Sequence, residues 1–460
     1  MEESISQNRM GTTPMKKLVF QMAVPMMISM MVQALYNVVD SLFVSHITDP
    51  SIVNAGDKAV TALALAFPLQ MIMTALNVGT GVGINAVLSK FLGEKNGEAA
   101  SCVAGNGVFS EGCLCLLMML VGGLWGDNYI ATQTADPVVL AYGTSYVRII
   151  TLVCFGTMFY FAFEKILQAT GNATYSMICQ ISGAVTNIVL DPLMIFGYGF
   201  FPKLGVAGAA WATVIGQIVA MIVGGILFFT RTPELKKGLR YLRPDGTIIG
   251  RIYKVGFPAI IMNGLTSIMS YAMNLILGVV SADLVTSFGI FYKLQNFVFM
   301  PSYGLNNAVI PIIGYSYGAR RADRIKSGSH WAMLYCMVIM AFGILLFLFF
   351  SPQIVSAFAV SAPVQKITAR ALRIICIGWL LSGYNTVAQG YFQALGNGVY
   401  SLIVSLLRFA VILLPLAWLL SKTPQPAVTI WIAFPVAELL ASGAAFGMRR
   451  RIDRKIVAKL

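Results

Sequence analysis

Charge is scarce in this sequence, and negative charge scarcer still. Asp, Glu, Lys and Arg make up 11% of the 460 residues, with 18 acidic against 32 basic side chains. A soluble domain carries about 25% charged residues. With 57% hydrophobic residues and a mean hydropathy of +0.77, the composition excludes a soluble globular protein and puts the chain in a bilayer. Histidine is limited to His46 and His330, too few and too far apart for a metal centre. The seven cysteines (102, 113, 115, 154, 179, 336 and 376) lie mostly in apolar runs without metal-type or redox spacing. They read as small core residues, and no disulfide is expected. No G-x-x-x-x-G-K-[ST] run exists, which excludes an ATPase module of the chain's own. The stretch "GTGVGINA" (79–86) lacks the last Gly of G-x-G-x-x-G and follows an apolar helix rather than a strand, so it is no dinucleotide loop. Neither an enzyme nor a cofactor is expected. Residues 1–17 are polar and end in Lys16 and Lys17, so no cleavable leader is expected either.

What the sequence does have is long apolar runs. A bilayer-crossing helix needs roughly 20 predominantly apolar residues. Twelve segments qualify, near 18–45, 58–83, 101–124, 138–167, 174–199, 205–230, 250–280, 285–314, 329–350, 365–392, 401–421 and 426–448. The expected fold is an all-α membrane protein with twelve transmembrane helices. Basic residues set its orientation. With both termini inside, the inner tails and loops hold 22 of the 32 Lys and Arg, and the outer loops hold Lys58, Lys203 and Lys422. The positive-inside rule then expects both termini in the cytoplasm. The net charge of +14 follows from this sorting, and no nucleic-acid partner is expected. "MRRRIDRK" (448–455) reads as an anchor on anionic headgroups.

The chain also repeats itself. "LQATGNATYS" (167–176) matches "FQALGNGVYS" (392–401) at an offset of 225, and the same offset aligns Gly79 with Gly304 and Gly93 with Gly318. Pro25 aligns with Pro258 at an offset of 233, so the first half carries about eight extra residues around "HITDPSIVNAGDK". The expected organisation is a six-helix lobe over residues 1–230, a basic cytoplasmic linker over 231–249, and a second six-helix lobe over 250–460. Two pseudo-symmetric bundles of equal orientation point to a transporter with a site between or within them.

Ionisable residues inside spans are expensive, and by default they are functional candidates. Asp40 stands in "YNVVDSLFV" on the first span and Asp191 in "TNIVLDPLMIFG" on the fifth, each six to eight residues before the outer end. Asn37 lies one turn below Asp40, and Asn187 one turn below Asp191. Helical spacing makes Gln33, Tyr36, Asn37 and Asp40 one polar stripe, and Asn187 with Asp191 another. Two carboxylates in a low-dielectric pocket can hold a proton, supply oxygens to Na⁺, or pair with a cationic substrate once the ion has left. Asp191 has a plainer reading as the cap of a helix restarting at Pro192, and Asp40 as a structural hydrogen bond. Glu164 stands two turns from the inner end of the fourth span beside Lys165, where it reads either as a substrate contact or as a snorkelling charge. Glu111, Arg148, Arg408 and Glu438 are further ionisable residues within spans. Lys293, in "FYKLQNF", reads first as a lobe-interface pair and second as a cavity-lining cation.

These stretches, with "GVAGAAWATVIGQ" (205–217), "PSYGLNNAVIPIIGYSYGAR" (301–320) and "GYFQALGN" in the second half, resemble the multidrug and toxic compound extrusion (MATE) family in order and over nearly the whole chain. The resemblance implies two six-helix lobes around a central V-shaped cavity in a bacterial cytoplasmic membrane. It implies export of cationic, amphipathic drugs in exchange for H⁺ or Na⁺. Asp40, Asn187 and Asp191 match positions linked with ion coupling in bacterial members, and Glu164 matches an acid implicated in substrate handling. The expected ion-coupling set is therefore Asp40, Asp191, Asn187 and Asn37, with Na⁺ at Asp40, Asn187 and Asp191 as the one candidate cation site. The substrate-cavity candidates are Glu164, Gln33, Tyr36 and Lys293. The expected partners are an organic cation and the bilayer, with a monomer as the functional unit. Other readings are a flippase for a lipid-linked precursor and a non-transporting receptor or scaffold.

Overall fold

The computed structural model describes residues 8–460 apart from 49–51, 53, 200 and 359. The expected insertion in "HITDPSIVNAGDK" falls partly outside the described residues. Among those described the protein is helical, with no strand. After a single turn at Arg9–Thr12 come α1 (Met15–Ser45), α2 (Ala55–Gly93), α3 (Gly97–Ala131), α4 (Pro137–Leu152), α5 (Phe155–Ala169), α6 (Ala173–Phe196) and α7 (Val206–Arg231). The second half contains α8 (Gly246–Val280), α9 (Ala282–Gly318), α10 (Ala322–Ser356), α11 (Ala362–Ile375), α12 (Trp379–Ala394), α13 (Gly398–Leu406), α14 (Leu414–Leu420) and α15 (Ala433–Lys455). Among the described residues, 11 helical stretches are long and apolar enough to cross a bilayer, and α4 with α5, bent by 47°, forms the twelfth. The tenth span joins α11 to α12 through the 3₁₀ turn Cys376–Gly378, and the eleventh joins α13 to α14 through a π-helical segment, Leu407–Leu413.

The helix ends follow from local chemistry. Asp136 accepts from Val138 N–H (2.8 Å) and Val139 N–H (3.2 Å) with Pro137 in first position, so it caps α4. Lys58, 2.8 Å away, together with these N–H donors, holds the Asp136 carboxyl below the usual carboxylate range. Asp245 caps α8 the same way, and Gly197, at φ 78°, ends α6 in the left-handed conformation. Several spans run past their apolar limits. α2 continues to Gly93 and α9 to Gly318, because their ends pack against one another rather than facing lipid.

The two halves meet through reciprocal crossings. α2 lies on α8, and α9 lies on α1 and α2. A Cβ on Gly79 would sit 2.9 Å from Gly256 O, and one on Gly304 2.7 Å from Met26 O. At the C-terminal ends of α2 and α9, a Cβ on Gly93 would meet Tyr315 O at 2.0 Å, and one on Gly318 would meet Lys90 O at 1.9 Å. The residues aligned by the repeat thus stand at matching crossings, where only glycine lets the backbones approach. Arg324 reinforces these ends by donating to Met10 O (2.7 Å) and Thr13 O (2.8 Å).

The segment between α7 and α8 is not slack. Glu98 of α3 takes Lys236 at 2.8 Å and Arg240 at 2.5 Å, and the Glu98 carboxylate raises the Lys236 ammonium above its ordinary range. Tyr241 is buried against Gly105, and the Asn106 amide accepts from Asp245 N–H (2.7 Å) while donating to Tyr241 O and Arg243 O.

Candidate functional site

α1 and α6 run side by side in the first lobe, with α7 against α6. This brings the two carboxylates together: the Asp40 and Asp191 side chains are within hydrogen-bonding contact of each other. Asp191 is fully buried, Asp40 partly. Asn187 lies one turn below Asp191 and bridges it to α7. In the amide orientation that satisfies both sides, its N–H donates to Asp191 Oδ2 (3.1 Å). Its carbonyl accepts from Thr213 Oγ1 (3.3 Å) and Thr213 N–H (3.1 Å). The Tyr36 hydroxyl stands beside Thr213 and both aspartates. Tyr146 closes the pocket from α4 and takes a 2.9 Å hydrogen bond from Gln70 of α2. One oxygen of Asp40, Oδ1, is buried and has no partner among the described residues.

Two acids in contact inside a lobe cannot both stay charged and bare, because their repulsion is unscreened there. The pair must hold a proton or a cation. Asp40 and Asp191 offer carboxylate oxygens to a small cation, whereas the Asn187 carbonyl is turned away to Thr213.

The structure sorts the other candidates. α6 runs unbroken through Pro192, so Asp191 does not cap a restarted helix; its carboxyl is turned inward to Asp40. Asn37 is exposed, and among the described residues its side chain makes no hydrogen bond to the pair. Gln33 is taken by Gln180 Nε2 at 2.6 Å, one further contact of α1 with α6. Glu164 does not snorkel. It and Lys165 are nearly sealed, with 2% and 4% of their side chains exposed. Glu164 Oε1 accepts from Gln168 Nε2 (2.6 Å) and Ser176 Oγ (3.5 Å) and lies 3.7 Å from Lys165 Nζ. Lys293 is exposed, and among the described residues its ammonium makes no ion pair, so the expected lobe-interface pair is not formed. Arg148 pairs with Asp127 on the surface. Glu111 is wholly buried, with neither oxygen partnered among the described residues. Gln70, Tyr146 and Thr213 escaped the sequence reading. They are neutral and isolated in their spans, so nothing but the packing marks them.

Comparisons with known proteins extend this picture. The MatE family model matches residues 25–193 and again 258–419, once in each half. The chain is 26% identical over 442 residues to multidrug export protein MepA of Staphylococcus aureus (strain NCTC 8325 / PS 47), covering 94% of this chain and 93% of that one. MepA of Staphylococcus saprophyticus is 25% identical over 423 residues, covering 92% and 91%. Among solved structures, an outward-facing conformation of a multidrug resistance MATE family transporter of the MOP superfamily superposes with a TM-score of 0.90 at 25% identity, covering 98% of this chain and 99% of that chain.

Proposed function

This chain belongs to the MatE family, and from that premise we propose that it is a secondary antiporter that exports amphipathic organic cations in exchange for H⁺ or Na⁺. It is a membrane transporter rather than an enzyme. The observation that carries the reading is the contact between Asp40 and Asp191 inside the first lobe. A carboxyl pair that must bind an ion to be neutral is a coupling device when its access alternates. From the outer side, an entering H⁺ or Na⁺ neutralises the pair, α1 repacks against α6, and the substrate loses its attraction. From the inner side, loss of the ion restores negative charge and draws in a cation. The export named for the staphylococcal relatives supports the direction of transport. The basic inner loops support termini on the cytoplasmic side.

The test is transport in proteoliposomes, with a pH gradient and a Na⁺ gradient imposed separately and ethidium as the cargo. One of the gradients is expected to drive ethidium against its own concentration difference in the unaltered protein and not in Asp191→Asn. Accumulation that is indifferent to both gradients overturns the antiport reading.

A further inference from the structure

We propose that a small pocket inside the second lobe is a subsite for a neutral hydrogen-bond-accepting oxygen, a carbonyl, carried on an aromatic substrate. The inference rests on the transport reading only in taking its ligand as cargo. The pocket is built around Arg408, which stands at the start of the π-helical segment Leu407–Leu413 and is 7% exposed. π-helical turns recur at functional sites, since the extra residue re-aims a side chain. Arg408 donates from Nε (3.0 Å) and Nη2 (2.7 Å) to Glu438 Oε1, and Asn385 Nδ2 donates to Glu438 Oε2 at 2.8 Å. A guanidinium has five N–H donors. Glu438 takes two, and among the described residues nothing accepts from the other three.

Those donors face a cavity of about 40 Å³, also lined by Tyr292, Gln295 and Tyr303. None of these three has a hydrogen-bond partner among the described residues. Glu438 also lines the cavity, but Arg408 and Asn385 already occupy its oxygens, and the two tyrosines and Gln295 can each accept as well as donate, so Arg408, which can only donate, leaves the cavity with a net excess of donors. At roughly 10–15 Å³ per water position, it takes a small group rather than a whole drug. Its remaining wall is aromatic, with Phe409 under the guanidinium at 5.0 Å and Phe291 and Phe434 opposite. Tyr303, 41% exposed, stands at the mouth. Its neighbour Gly304 touches the backbone of Met26 and Met27 in α1, so the mouth opens beside the seam between the lobes. Charge decides between the acceptors. Glu438 already balances Arg408, so a carboxylate would leave a net negative charge at depth, whereas a carbonyl leaves none. An aromatic ketone places its carbonyl on the guanidinium and leaves its rings outside the cavity, against Tyr303 at the mouth.

The experiment measures binding to the protein in nanodiscs with three matched probes: 2-acetylnaphthalene, 2-ethylnaphthalene and 2-naphthoate. In the unaltered protein the ketone should bind about tenfold tighter than the hydrocarbon, as expected for a hydrogen bond to a charged donor. In Arg408→Met/Glu438→Met, which removes the pair without stranding a charge, that preference should fall to within about twofold, with the hydrocarbon's affinity unchanged. Arg408→Lys keeps the ion pair but presents fewer donors; it should lose part of the preference and decides the question if the double variant does not fold. An equal ketone preference in the variants, or none in the unaltered protein, overturns the subsite. Naphthoate binding as tightly as the ketone overturns the choice of a neutral acceptor. Ethidium transport stands apart from these readouts, so loss of the antiport reading would be seen separately.

Discussion

A carboxyl group buried at membrane depth survives only in company, and Asp191 has Asp40 beside it and Asn187 beneath. Because the two acids act on one ion, each single change, Asp40→Asn or Asp191→Asn, should cut gradient-driven ethidium efflux about tenfold or more, and the double change should be little worse than either. Surface expression should hold, since a neutral amide is cheaper to bury than an unpaired charge. Efflux assays normalised to surface protein check both points. Thr213→Val removes the hydroxyl that holds the Asn187 amide, and should lower efflux several-fold while leaving the fold intact by gel filtration. Asp40, Asp191 and Asn187 were legible in the sequence because a charge in an apolar run is costly and stands out. Asn37 is exposed because helical spacing assigns a stripe about 100° wide, and only the neighbours' positions say which edge of it is covered. Gln70 and Tyr146 carry no charge and no periodic sign, so they surface only once α2 and α4 are packed.

At the scale of the helix, the spans were legible and their ends were not. Apolar composition ends where the lipid ends, whereas α2 and α9 carry on along each other's backbones to Gly93 and Gly318. The 47° bend between α4 and α5 has no proline to announce it. Thr151 bonds back to Val147 O at 2.7 Å just before the break, and Gly156 follows it against α7. The π-helical segment was equally hidden, although it sets the direction of Arg408. Its pair with Glu438 gives an element-scale test. Arg408→Met alone strands a buried carboxylate and should destabilise the protein by roughly 3–5 kcal/mol, whereas Arg408→Met/Glu438→Met should be close to neutral. Thermal unfolding followed by fluorescence-detected size exclusion separates the two outcomes.

For the whole molecule, the internal repeat named the right glycines without saying that they lie at the crossings between lobes. Sequence identity aligns residues; only the folded crossings put Gly93 on Tyr315 and Gly318 on Lys90. Gly318→Ala should force α9 off α2 and open this crossing. A cysteine introduced at Ser89, in a background with Cys102 and Cys113 changed to serine, should then react faster with an impermeant maleimide in inside-out vesicles. An unchanged rate would show that the seal does not depend on this contact.

The strap from Lys236 to Asp245 has a mechanical consequence. Being clamped to α3 along that length, it has no give: a nominal tether of ten residues behaves as a rivet. Any swing of one lobe on the other must therefore be absorbed downstream, in α8, where Pro258 already removes a rung from the ladder. If the lobes swing as the proposed transport requires, the bend falls inside a span rather than in the loop that connects the halves.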